Sequence, residues 1–148
     1  MKLKHSIIKS CLTLHVKYKL FWTWMFKTLL LIGSGGFLGS ISRFLASRLV
    51  QNNISSSFPF GTFIVNVSGC LIIGLIYGFS ERSSLLTPGW KMFLALGFCG
   101  GYTTFSTFAN ENLSLLRDGE FFYFFLYTGL SVFLGIAATF LGVLISKI

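Results

Sequence analysis

The sequence predicts an all-α integral membrane protein with four transmembrane helices, the third of them broken mid-membrane. Three observations lead there. Of the 148 residues 53% are hydrophobic and only 11% charged, against about a quarter charged in a soluble domain. The run Phe121 to Ser146 holds 26 residues without a Lys, Arg, Asp or Glu, and about 20 apolar residues suffice to cross the hydrocarbon core. Met92 to Asn110 is also uncharged, yet it contains Gly100-Gly101-Tyr102-Thr103-Thr104-Phe105-Ser106-Thr107-Phe108. There a glycine pair, which weakens a helix, precedes four hydroxyl residues and two phenylalanines three apart.

Residues 1–25 form a basic extension, expected to be interfacial or disordered, and residues 26–148 form the transmembrane domain. The extension carries Lys2, Lys4, Lys9, Lys17 and Lys19, five of the twelve basic residues. Lysines placed this way meet anionic lipid headgroups. They account for most of the net charge of +8, so nucleic-acid binding is not expected. Lys9, His15, Lys17 and Lys19 interrupt any apolar core of a signal peptide.

The first span is expected at Thr28 to Ser47, interrupted only by Arg43, after the interfacial aromatics Phe21, Trp22 and Trp24. The second, Phe60 to Ser80, starts at the Pro59-Phe60-Gly61 punctuation, and the third, Trp90 to Leu116, at Thr87-Pro88-Gly89. The fourth is Phe121 to Ser146. An even number of spans puts both termini on one side. Without the extension, Lys27, Arg82, Lys91 and Lys147 face Arg48 and Arg117, with Arg43 nearby, a feeble positive-inside bias. The extension therefore either fixes one orientation or is not always translated, with Met25 as an alternative start. Gly35-x-x-x-Gly39 and Gly74-x-x-x-Gly78 predict close helix packing. Cys70 and Cys99 read as small apolar packers.

Polar groups inside hydrocarbon need partners or a water-filled path. Thr62 and Asn66 share one face of the second span, Tyr127 and Ser131 one face of the fourth, and the residues from Thr103 to Thr107 cluster in the third. Taken singly, most of these serve as glue between helices. Glue does not require a broken helix, whereas breaks within membranes mark ion sites. No catalytic constellation is present, and the four acids, Glu81, Glu111, Asp118 and Glu120, lie away from mid-span, so an enzyme is not expected. A small four-helix proton-coupled exporter of a cationic or small-molecule substrate is the alternative. It would want an ionisable group near the bilayer centre.

Three blocks resemble the CrcB/Fluc family of fluoride channels: Gly35-Gly36-Phe37-Leu38-Gly39-Ser40-Ile41-Ser42-Arg43-Phe44, Pro59-Phe60-Gly61-Thr62-Phe63-Ile64-Val65-Asn66-Val67-Ser68-Gly69, and Gly97-Phe98-Cys99-Gly100-Gly101-Tyr102-Thr103-Thr104-Phe105-Ser106-Thr107-Phe108 followed by Glu111. The resemblance covers about Phe26 to Ile148. It implies an antiparallel, dual-topology homodimer with two pores, or pairing with a homologous subunit. It also implies a multi-pass protein of the cell membrane that passes fluoride selectively and passively, giving fluoride resistance. A structural sodium ion is implied at the dimer centre, held by the backbone carbonyls of Gly100 and Thr103. By the same match Phe105 and Phe108 turn ring edges into the pores, Asn66 lies beside the path, Tyr127 and Ser131 form a polar track, and Arg43 lines a vestibule. The track ordinarily gains a further hydroxyl where this chain has Gly135. The chemistry agrees. Asn66, Tyr127 and Ser131, together with Ser106 and Thr107, are donors without negative charge, and aromatic edges carry the positive part of the ring quadrupole.

Overall fold

A computed structural model describes residues 2–54, 56–82 and 86–148, with side chains described from Lys17 onward, Arg82 excepted. The side chains of residues 1–16, and so most of the predicted basic extension, lie outside the described residues. Among the described residues the structure is helical, without strands. Helix α1 (Lys2–Asn53) is followed by α2 (Phe60–Arg82), α3 (Pro88–Lys91), a π-helical segment (Met92–Cys99), α4 (Gly100–Tyr102), α5 (Phe105–Arg117) and α6 (Phe121–Ile145).

Among the described residues three helices are long and apolar enough to cross a membrane: Lys17–Asn53, Phe60–Glu81 and Phe121–Ile145. The first overruns the predicted Thr28 to Ser47 at both ends. No proline lies between Lys17 and Asn53 to stop it, and a charge such as Arg48 does not by itself end a helix. The second and last match their predicted positions closely. The third predicted span is not one helix. It starts where Thr87 caps α3, its side chain accepting from the Trp90 N–H at 3.5 Å, with Pro88 at the first helical position. It then widens into the π segment and breaks before α5. Gly119, at φ 76°, makes the turn from α5 into α6.

The most extensive packing is α2 along α6, followed by α1 along the π segment and α4. Both interfaces depend on bare backbone. A Cβ on Gly74 would run into Thr139 O, one on Gly142 into Leu71 O, one on Gly35 into Phe93 O and one on Gly39 into Phe98 O. The small-residue packing expected from Gly35, Gly39 and Gly74 is therefore present. Polarity is inverted relative to a soluble domain. Thr62, Thr104, Asn112 and Ser146 are buried, while Phe122, Phe125, Phe133, Ile136 and Phe140 of α6 are exposed. Large exposed apolar faces suit lipid, with backbone hydrogen bonds closed inside each helix. Cys99 is buried and Cys70 half-buried, both as free thiols.

Candidate functional site

Two residues between α4 and α5 leave the helical region. Thr103 is extended (φ −81°, ψ 157°), and so is Thr104 (φ −149°, ψ 120°). The glycine pair is not the break itself. Gly100 stays helical, and Gly101 lies where a Cβ would strike the Gly36 backbone, so it serves close approach to α1. The break belongs to the two threonines, whose hydroxyls give the backbone other partners. Thr103 donates through Oγ1 to Cys99 O at 2.9 Å. Thr104 is the N-cap of α5, accepting from the Thr107 N–H at 3.3 Å, while its hydroxyl donates to Thr107 Oγ1 at 3.0 Å.

Asn66 of α2 holds the break from the side. Its Oδ1 accepts the Thr104 N–H at 2.8 Å, and its Nδ2 donates to Thr104 O at 3.0 Å. In an unbroken α-helix the Thr104 N–H would close on Gly100 O, and the Thr107 N–H on Thr103 O. Both donors are engaged elsewhere, so the two carbonyls named by the resemblance are released from their helical partners. Oxygen donors of this kind are what a hard cation takes, and carbonyls at the C-terminal end of a helical piece carry partial negative charge. These residues fit a bound sodium ion.

Beside the break is a cavity of about 400 Å³ lined by Asn66, Gly69, Cys70, Ile73, Ala95, Leu96, Cys99, Gly100, Thr103, Thr104, Phe105, Phe108, Ser131 and Val132. None of these residues is charged. Phe105 and Phe108 sit at a ring-centroid distance of 5.8 Å. Phe105 is 80% exposed, whereas Phe108 lies half-buried against the Tyr127 ring at 5.0 Å. Ser131 Oγ is buried without a hydrogen-bond partner.

A carboxylate lies outside this lining, bonded to the Tyr127 hydroxyl. Glu111 of α5 accepts from Thr62 Oγ1 of α2 at 2.7 Å and from the Tyr127 hydroxyl of α6 at 2.8 Å. Its neighbour Asn112 donates to Phe108 O at 2.9 Å and accepts from Thr128 Oγ1 at 2.8 Å. The second half of the broken segment is thus stitched to both α2 and α6.

Residues 30–143 match the family model described as CrcB-like protein, Camphor Resistance (CrcB). The chain belongs to this family. A CrcB-like relative from Flavobacterium psychrophilum, named fluoride-specific ion channel FluC, is 46% identical over 121 residues, covering 82% of this chain and 98% of its own. Relatives of the same name from Chlorobium phaeobacteroides (48% over 123 residues, 83% of this chain and 95% of theirs) and Campylobacter jejuni (46% over 123 residues, 83% and 100%) agree with it. The expected family is therefore borne out.

Within this CrcB-like chain, one cavity brings together Asn66, Gly100, Thr103, Phe105, Phe108 and Ser131. Tyr127 is wholly buried, with its hydroxyl turned to Glu111. Ser106 and Thr107 are exposed on the first turn of α5, and Arg43 is half-buried on α1, all three away from the cavity lining. At Gly135 an added Cβ would meet Cys70 Sγ at 3.5 Å, and the next hydroxyl, Thr139, turns back to Gly135 O. Sequence reasoning missed the individual roles of Thr104, Asn112 and Thr128. Thr104 left a signal, a threonine three residues before Thr107 at the start of a resumed helix. Asn112 and Thr128 left none, because their pairing is set by how α5 and α6 meet.

Proposed function

We propose that this chain is one subunit of a fluoride-selective channel that lets fluoride leave the cell passively across the cell membrane, lowering cytoplasmic fluoride. The observation that carries the reading is the cavity at the break, where the Asn66 amide, the unpartnered Ser131 hydroxyl and the rings of Phe105 and Phe108 meet, with no charged side chain among the described residues that line it. Fluoride is small and strongly hydrated, so a narrow route must replace its water with donors while binding it weakly enough to release it. Neutral donors and ring edges meet both demands. The relatives, named as fluoride-specific ion channels, support the same reading and lend nothing to the exporter alternative.

Residues 88–117 cross the membrane as two half-helices and complete four spans, placing both termini on one side. The basic residues of 1–25 rest on anionic headgroups and bias the termini towards the cytoplasm. Phe105 is largely exposed, and a Cβ on Gly100 would meet nothing within 4 Å. A second subunit, an antiparallel copy or a paired homologue, covers this face. Gly100 and Thr103 carbonyls from each of the two subunits would hold a structural sodium ion, which would supply positive charge against the partial negative charge of those carbonyls. Ser106, Thr107 and Arg43 serve the approaches to the route.

Proteoliposomes loaded with fluoride test the reading. A channel releases fluoride rapidly down its gradient, at a rate indifferent to an imposed proton gradient, with little chloride efflux. Saturable exchange driven by protons would replace the channel with the exporter, and no flux would leave a structural protein.

A further inference from the structure

An anion route would be expected to avoid carboxylates, yet Glu111 lies one helical turn from Phe108 and contacts Tyr127, whose ring packs on the Phe108 ring. Both carboxylate oxygens are engaged, Oε1 by Thr62 and Oε2 by Tyr127. An ionised carboxylate can only accept, and each hydroxyl has a single hydrogen to give. The hydrogens of Thr62 and Tyr127 are therefore both committed to Glu111. Thr62 is 3% exposed and Tyr127 0%, so neither side chain is open to bulk solvent.

We infer that Glu111 is a positioning residue of the pathway: it takes the hydroxyl hydrogens of Thr62 and Tyr127, pins the Tyr127 ring against Phe108, and leaves Ser131 as the α6 hydroxyl on the cavity lining that is free to donate to the anion. Tyr127 then shapes the route through its ring, and its hydroxyl belongs to Glu111. The arrangement also shields the acid. Its charge is spread over two short hydrogen bonds, and the residue is not on the cavity lining. The same three contacts tie α2, α5 and α6 together next to the break, so the position of Phe108 depends on them.

The inference rests on the channel reading only for its flux measurement. In proteoliposomes, Glu111→Gln and Tyr127→Phe should each lower fluoride efflux by about tenfold, and the combination should be no lower than the worse single change, because both remove one shared interaction. If the Tyr127 hydroxyl bound fluoride independently of Glu111, the two losses would multiply, and that result would overturn the inference. A second measurement needs no fluoride. The carboxylate stretch of isotope-labelled glutamate in the purified full chain, recorded by infrared difference, should shift in Tyr127→Phe and in Thr62→Val. An unchanged band in both variants would overturn the inference even where conduction is confirmed. Absent conduction in the unsubstituted protein would count against the channel reading and leave the infrared result to decide the Glu111 contacts.

Discussion

Residues 88–102 and residues 105–117 lie on either side of one break, yet they meet their neighbours by different means. The first half lies on α1 through backbone: Gly35 and Gly39 sit against the peptide groups of Phe93 and Phe98, and Gly101 against Gly36. The second half meets α2 and α6 through side-chain hydrogen bonds from Glu111 and Asn112. Against α1 shape alone fixes the first half, so any added atom there is felt as a clash; on α2 it adds a single side-chain hydrogen bond, between Tyr102 and Ser68 at 3.1 Å. Directional bonds fix the second, so changes there reorient groups beside the cavity without unseating the helix. Asn66 joins the two regimes, because it holds Thr104 at the junction.

That contrast can be broken by substitution. The largest expected effect is on the first half. Gly39→Leu forces a side chain into the Phe98 carbonyl and should cost roughly 1–3 kcal/mol or more. Thermal unfolding in detergent should show a collapse of the folded fraction, while Gly129→Ala, where an added Cβ meets nothing within 4 Å, should unfold like the unsubstituted chain. Equal stability of the two variants would remove the shape-based account of α1 packing.

In the second half the expected loss is of flux rather than of fold. Phe108→Ile keeps an apolar group and removes the ring edge, so fluoride efflux should fall by about a hundredfold or more while the protein elutes unchanged. Unaltered efflux would reject the aromatic role. Asn66→Asp keeps an acceptor for the Thr104 N–H but loses the donor to Thr104 O, and it sets a negative charge at the cavity. Efflux should be blocked there as well, and normal efflux would take Asn66 out of the pathway. The smallest effect is on the cap. Thr104→Val removes the acceptor for the Thr107 N–H and should cost about 1 kcal/mol of stability; a loss below the resolution of thermal unfolding would mean that Asn66 alone holds the break.

Much of this contrast could be read from the sequence, and the unread part has a physical cause. The ends of α2 and α6 were legible because proline, glycine and charge punctuate uncharged runs there. The break was legible from glycine and hydroxyl content, but its position was displaced. Both glycines remain helical and Gly101 serves α1, while Thr103 and Thr104 carry the extended backbone. A glycine permits both a break and a close approach, and a single sequence does not separate the two. The overrun of α1 beyond Thr28 to Ser47 follows from the same limit, since hydropathy marks what lipid tolerates and not where hydrogen bonding stops. Thr62 and Asn66 were placed on one face by spacing alone, and they do share it. Their partners, Glu111 and Thr104, lie 49 and 38 residues away, a pairing that only helix packing determines.

The central claim is that the cavity at Thr103–Thr104 carries fluoride and discriminates against larger anions. Reversal potentials in a planar bilayer, with fluoride on one side and chloride on the other, test it most directly. The account predicts a reversal potential set by the fluoride gradient alone, lost together with the current in Phe108→Ile. A current carried comparably by chloride, or one that survives that substitution with its selectivity intact, would contradict it.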